Sequence, residues 1–172
     1  MIKLIGALCI ICAGTLLGFY QALQLSARPR QIRQSLQGLQ RLETEILYGF
    51  TPLSEAFVSV AGSLTGPVST LFERAGAKLD NGEAGTVADS WRQAIDTCWA
   101  NTAMKRTERE ALLQLGSILG ISDRADQAKH LRLAVSVLQA EEAAAAEDYR
   151  RYGSMWRSLG LLSGVLIVIL MY

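Results

Sequence analysis

The sequence predicts an all-α protein with a helical body between two apolar ends. Three observations predict this class. Apolar residues recur at spacings of three and four through the middle of the chain, and no segment alternates with period two for any useful length. Gly, Pro and capping residues divide the pattern into helix-sized pieces. We expect the body over residues 28–153 and the apolar ends over 4–25 and 155–172.

The two apolar ends are expected to cross a membrane as helices. The first, LIGALCIICAGTLLGFYQALQL over 4–25, has no charged side chain. As a helix it would extend about 33 Å, which matches a hydrocarbon core about 30 Å thick. The uncharged stretch of the second end, 158–172, is shorter, but Met155 and Trp156 extend it if Arg157 reaches the interface. A cleaved signal peptide is the alternative for the first end, but no A-x-A-type site closes it.

Basic residues beside the apolar ends predict where the body lies. Several arginines follow the first end and precede the second, whereas Lys3 stands alone on the other side. Because cytoplasmic segments carry an excess of Lys and Arg close to the spans, the body is expected in the cytoplasm. The formal net charge of +1 gives no basic surface of the kind that binds nucleic acid.

The first half of the body holds three predicted helices, each with a proline near its start. Pro29 stands in the first turn of a helix that carries one apolar stripe and ends at Gly49. Thr51 is expected to cap the second helix. Pro67 opens the third, and a polar turn over 79–85 follows it.

Three further helices are predicted in the second half, which brings the body to six. Thr86 caps the fourth, in which large apolar residues recur every fourth position. Thr107 and Glu110 form a predicted capping box for the fifth, which Gly120 closes. From Ser122 onward a long stretch has neither Gly nor Pro, so we expect one long helix that continues into the second apolar end.

The sequence assembles no catalytic or metal-binding constellation. It has no G-x-x-x-x-G-K-[ST] phosphate loop, so we do not expect the chain to hydrolyse nucleotides. Cys9 and Cys12 have no second pair of ligands and both lie in the first apolar end. His130 is the base that Cys98 would need, but nothing orients the pair. We expect no enzyme activity, cofactor or small-molecule substrate; a membrane-anchored Cys98 or His130 enzyme is one alternative.

Four long segments resemble a known protein family. They are KLIGA at 3–7, the stretch GFYQALQLSARPRQIRQSLQGLQRLETEILYGFTPLSEA at 18–56, LGISDRADQAKHL at 119–131, and the tail YGSMWRSLGLLSGVLIVIL. Through them the chain is similar, nearly end to end, to the stage III sporulation protein AB family of endospore-forming bacteria. Departures such as Asp126 and Ala128 are minor.

The resemblance implies a fold, a location and partners. The G-x-x-P-L-x-E-A pattern at 49–56 looks like the helix-start motif of platform proteins in type II secretion and type IV pilus systems. It implies a six-helix cytoplasmic bundle of the type II secretion F kind, flanked by transmembrane helices. The family implies a platform in the mother-cell membrane around the forespore, within a channel complex. Its implied partners are a secretion-type ATPase, stage III sporulation protein AA, and other membrane proteins of the channel.

Partner-binding residues are sought among the polar residues of the matching segments, which we expect to be exposed. The candidates are Arg30, Arg33, Glu43 and Glu45 on the first helix and Asp123, Arg124, Gln127 and His130 on the last. Local roles compete with partner binding. The two arginines lie where anionic lipid headgroups would be, the glutamates are able to pair with arginines such as Arg41 on neighbouring helices, and Asp123 favours a helix start. A lipid-facing helical spacer, which would set a distance from the membrane, is the third functional hypothesis.

Overall fold

Every regular element that the computed structural model describes is helical. It describes residues 26–49, 51–82 and 85–171, together with Leu16 and Tyr20. The helices are α1 over 26–44, continued by a π-helical turn at Glu45–Gly49, then α2 at Leu53–Ala61, α3 at Gly66–Asp80, α4 at Val87–Cys98 with a 3₁₀ turn at Trp99–Asn101, α5 at Arg106–Gly116, and α6 at Arg124–Met171. Over the described residues, the prediction of an all-α fold with six helices is confirmed.

Local hydrogen bonds explain where α2 and α4 begin. Thr86 caps α4 as predicted, because its Oγ1 accepts a 3.1 Å hydrogen bond from the Asp89 N–H. The predicted cap of α2 is wrong by one residue. Pro52 holds that position, and the Thr51 hydroxyl instead donates to Glu45 Oε2 at 3.0 Å.

The predicted capping box of α5 is also wrong. The helix begins two residues earlier than that box implies, with Lys105 as its cap, where the Lys105 N–H donates to Glu108 Oε2 at 3.0 Å. Glu110 pairs with Arg106 instead, at 2.6 Å along the same helix. Gly120 does not close the helix either. It lies in the following turn with φ +80°, a conformation that favours glycine.

Three aromatic side chains form the centre of the core. Phe57 from α2 stacks on Trp91 from α4 with ring centroids 5.3 Å apart, and Phe72 from α3 meets Trp91 edge-on at 5.2 Å. All three are 1% exposed or less. The Trp91 indole N–H donates a 2.7 Å hydrogen bond to the Leu112 carbonyl, which satisfies its buried polar atom. The cluster therefore joins α2, α3, α4 and α5.

Two glycines permit close helix packing around this core. A Cβ atom at Gly76 of α3 would lie 2.9 Å from the Ser54 carbonyl oxygen of α2. One at Gly116 of α5 would lie 2.2 Å from Trp91 Cδ1. Both positions thus require a residue without a side chain.

The chain divides into two units. One is Arg30–Glu142, which holds the aromatic core. The other combines the described residues of Met1–Pro29 with Ala143–Tyr172.

The predicted first span at 4–25 lies outside the described residues, apart from Leu16 and Tyr20. Residues 155–171, where the second span is predicted, are helical as the end of α6. In the part of the chain that the structure describes, no helix is long and apolar enough to cross a membrane. The two transmembrane helices and the secretion-platform fold stay predictions.

Candidate partner-binding surface

Two candidates on α1 form ion pairs with α6. Arg33 pairs with Glu142, and Arg132 Nε donates to Glu43 Oε1 at 2.6 Å. The Glu43 side chain is 18% exposed and that of Arg132 is 68% exposed, so solvent screens the pair in part. Arg33 and Glu43 thus hold α1 against α6. Arg132 was not among the candidates predicted from the sequence, because spacing along α6 does not reveal which helix lies opposite.

The other two candidates on α1 have different surroundings. Glu45 lies in the π-helical turn and accepts the 3.0 Å hydrogen bond from Thr51, rather than an arginine. Arg41, the arginine expected beside these glutamates, donates instead to Ser59 Oγ at 3.5 Å. Arg30 is exposed. Of the four α1 candidates, only Arg30 therefore has its polar group unengaged by another described residue.

The start of α6 is organised by Asp123. Its Oδ1 accepts a 2.7 Å hydrogen bond from the Asp126 N–H, which caps the helix. The Asp126 carboxylate also lies 3.7 Å from His130 Nε2, one turn along. Arg124 is exposed in the same first turn. Asp123 therefore stabilises the start of α6, which is the local role expected for it.

Gln127 is buried, so the expectation that it is exposed is wrong. It is 7% exposed, and its Nε2 donates a 2.7 Å hydrogen bond to the Ser122 carbonyl. Its Oε1 is buried and has no partner among the described residues. The polar character of the side chain suggested a surface residue, but it closes the turn that precedes α6.

A groove between α2 and α3 contains charged residues that the candidates did not include. Glu55 and Val58 line it from α2, and Glu73 and Asp80 line it from α3, around a volume of about 660 Å³. We call these four residues and the space between them the acidic groove. Glu55 belongs to the G-x-x-P-L-x-E-A pattern, so the sequence did draw attention to this residue. Glu73 and Asp80 lie seven residues apart, two helical turns, and this spacing alone does not separate them from a solvated face.

Cys98 is a structural thiol of α4. It is 2% exposed, and burial raises the pKa of the Cys98 thiol, although Arg74 partly opposes this by its charge and a hydrogen bond. The thiol therefore stays protonated near neutral pH, and a protonated thiol is a poor nucleophile. His130 Nε2 lies 3.7 Å from the Asp126 carboxylate, one turn away on α6. These surroundings do not favour the Cys98 enzyme.

These features define an all-α protein with a glycine-packed aromatic core and α1 fastened to α6 by ion pairs. The sequence model of stage III sporulation protein AB matches residues 3–172. The curated stage III sporulation protein AB of Bacillus subtilis (strain 168) is 43% identical over 171 residues, which are 99% of each chain. The chain belongs to the stage III sporulation protein AB family.

A solved structure of stage III sporulation protein AB has the same helical fold. It superposes with a TM-score of 0.67 at 44% identity and covers 72% of this chain and 96% of its own. The family resemblance inferred from the sequence is confirmed, and with it a part in sporulation. The relatives are named as sporulation proteins and not for an enzyme activity.

Proposed function

We propose that the chain is a non-enzymatic membrane platform of the mother-cell-to-forespore channel complex. It docks a cytoplasmic secretion-type ATPase, stage III sporulation protein AA, and contacts other membrane proteins of the channel. The observation that carries the proposal is the family match over residues 3–172, which includes both apolar ends. The sequence has no phosphate loop, so the energy for transport would come from the docked ATPase.

The fastening of α1 to α6 supports a platform role. These two helices are the ones that continue toward the predicted spans, and Arg33–Glu142 and Glu43–Arg132 tie them together. A body that is held to the membrane at both ends transmits position or force from a bound partner. A body on one flexible tether would lose that displacement in the tether.

The proposed location is the mother-cell membrane that surrounds the forespore, with the helical body in the cytoplasm. The arginines that flank the predicted spans support this sidedness. Arg30, which is exposed, would then lie near anionic lipid headgroups, worth about 1 kcal/mol for each basic residue at the surface. The bilayer is thus a second partner of the platform.

Binding of the ATPase to the full chain tests the proposal. The full-length protein is reconstituted in lipid nanodiscs, the stage III sporulation protein AA ATPase is titrated in, and its retention is measured by biolayer interferometry. Saturable binding that empty nanodiscs do not show is the expected result. If the ATPase binds full-length protein no better than empty nanodiscs, the docking role is wrong.

A further inference from the structure

We infer that the acidic groove between α2 and α3 is where a basic, amphipathic helix of the ATPase partner docks. This inference rests on the proposed function, because it assigns the docking to one surface of the platform. It differs from the candidates chosen by sequence, three of which on α1 already have partners within the chain.

The groove presents negative charge around an apolar floor. Glu55 and Val58 are three residues apart on α2, hence neighbours on its surface, and Val58 is 51% exposed. Glu73 and Asp80 face them from α3, two turns apart. Of the basic side chains, Arg41 approaches the groove, through its 3.5 Å contact with the lining residue Ser59. An apolar strip bordered by three carboxylates results.

The carboxylates of the groove have no partners, unlike those elsewhere in the described part of the chain. Outside the groove, every described acidic side chain except Asp126 and Asp148 has a hydrogen-bond or ion-pair partner, and the Asp126 carboxylate lies 3.7 Å from His130 Nε2. Within the described residues, Glu55, Glu73 and Asp80 have none. Unpartnered carboxylates therefore concentrate at one place, and that place is concave.

Local stability does not explain this arrangement. Glu55 stands in the first turn of α2, where the helix dipole favours a negative charge, so its presence alone has a structural reason. Asp80 is the last residue of α3, where the same dipole disfavours it, and Glu73 has no partner among the residues that the structure describes. A cationic partner would offset both the dipole and the mutual repulsion of the three carboxylates.

Both walls of the groove are fixed before any partner binds. A Cβ at Gly76 would lie 2.9 Å from Val58 Cγ2 as well as 2.9 Å from the Ser54 carbonyl oxygen, so α3 lies directly against α2. On the opposite side, Phe57 and Phe72 pack with their ring centroids 6.2 Å apart. A preformed site loses little conformational entropy on binding.

The charge of the groove selects its occupant. Carboxylates repel phosphates, so nucleic acid and anionic lipid headgroups do not fit. No group of three or more His, Cys, Asp or Glu side chains in the described residues is placed to hold a metal ion. A helix with Lys or Arg beside an apolar residue at spacings of three and four would pair with the carboxylates and cover Val58.

Charge reversal in full-length protein tests the assignment. Glu55→Lys with Glu73→Lys is compared with Glu110→Lys with Asp148→Lys, which changes the net charge equally outside the groove. ATPase binding to nanodiscs carrying each variant is measured at two salt concentrations. We expect the groove variant to raise Kd at least about tenfold and to bind with little salt dependence, because like charges then face each other. The control variant is expected to stay within about twofold of wild type, as for charges outside an interface.

The outcomes separate the inference from the proposed function. If the wild type binds and both variants bind equally well, the groove is not the docking site, while the platform proposal stands. If the wild type does not bind, both are wrong. Should the lysine variant lose its helical circular dichroism, Glu55→Gln with Glu73→Gln replaces it, and unchanged binding by that variant overturns the inference.

A photocrosslink gives an independent reading of the same surface. Benzoylphenylalanine is placed at Val58 or, as a control, at Val137, another exposed valine, which lies beside α5 on α6. The chain in nanodiscs is irradiated with the ATPase. A covalent adduct with the ATPase from position 58 and none from position 137 is expected. Adducts from position 137 alone would place the ATPase elsewhere.

Discussion

The inner and outer faces of the α2–α3 pair differ in burial and in the partners of their side chains. On the inner face, Phe57 and Phe72 are at most 1% exposed and pack on Trp91. On the outer face, Glu55 and Glu73 line an open groove and have no partner among the described residues. The inner face accounts for the packing that stabilises the pair. On the outer face, the position of Glu55 in the first turn of α2 has a local reason, whereas the position of Glu73 has none. This difference in burial and in side-chain partners distinguishes residues that stabilise the fold from residues that are available to bind a partner.

The largest effect is expected on the inner face. Trp91→Ala removes two aromatic contacts and the hydrogen bond to the Leu112 carbonyl, and should lower the free energy of unfolding by about 3–5 kcal/mol. Urea unfolding of the full chain in detergent, followed by circular dichroism, measures it. Trp99→Ala, at a half-buried position, is the control and should cost about 1 kcal/mol. Equal losses for the two would contradict the central position of Trp91.

Gly76→Ala probes the contact that joins the two faces. The added methyl would lie 2.9 Å from the Ser54 carbonyl oxygen and 2.9 Å from Val58 Cγ2, so α2 and α3 must move apart, at a cost of about 1–3 kcal/mol. The same unfolding assay applies. Gly62→Ala, whose methyl would meet nothing closer than 3.7 Å, should be neutral or stabilise by up to about 1 kcal/mol. A stabilised Gly76→Ala protein would show that the close approach is unnecessary.

A smaller effect is expected where charges already have partners. A double-mutant cycle with Glu43→Ala and Arg132→Ala should give a coupling energy of about 0.2–1 kcal/mol, reduced by added salt, because Arg132 is mostly exposed. The reference cycle uses Arg106 and Glu110, which are more exposed and lie one turn apart on the same helix, and should give a weaker coupling than Glu43 with Arg132. No coupling between Glu43 and Arg132 would remove their part in fastening α1 to α6.

A similarly small effect is expected in the groove, where removal of a charge should stabilise the fold. Asp80→Asn removes a negative charge from the end of α3 and should stabilise the fold by about 0.3–1 kcal/mol. Asp89→Asn removes one from the first turn of α4, where it is favourable, and should destabilise by a similar amount. Thermal unfolding of both variants checks the pair. If Asp80→Asn destabilises the protein, Asp80 has a structural role that the groove assignment excludes.

Much of the fold could be predicted because helix signals are local. Apolar spacing and glycine or proline breaks depend on near neighbours, and they identified all six helices. The errors at the helix N-termini were of one kind. Thr51 and Thr107 had the right chemistry for caps, but Glu45 and Glu108 decided the actual hydrogen bonds. Competition between nearby polar groups is settled by backbone geometry, which the sequence does not display.

The candidate surface could be predicted less well, because partnership between charges is a tertiary property. Arg33 and Glu43 were predicted as binding residues, but in the structure they form ion pairs with Glu142 and Arg132 of α6. Gln127 looked exposed and is buried. Glu73 gave no signal at all, since its significance depends on which helix faces it. The family motif indicated Glu55 alone among the residues of the groove.

The sidedness of the helical body tests the central claim most directly. In a chain whose three native cysteines are replaced by alanine, Asn101→Cys reports on the body and Ile2→Cys on the N-terminus. Vegetative cells expressing each variant are treated with a membrane-impermeant maleimide. The account predicts labelling at position 2 in intact cells, and at position 101 only after permeabilisation. Labelling of position 101 in intact cells would contradict it, because a cytoplasmic ATPase would then have no access to the groove.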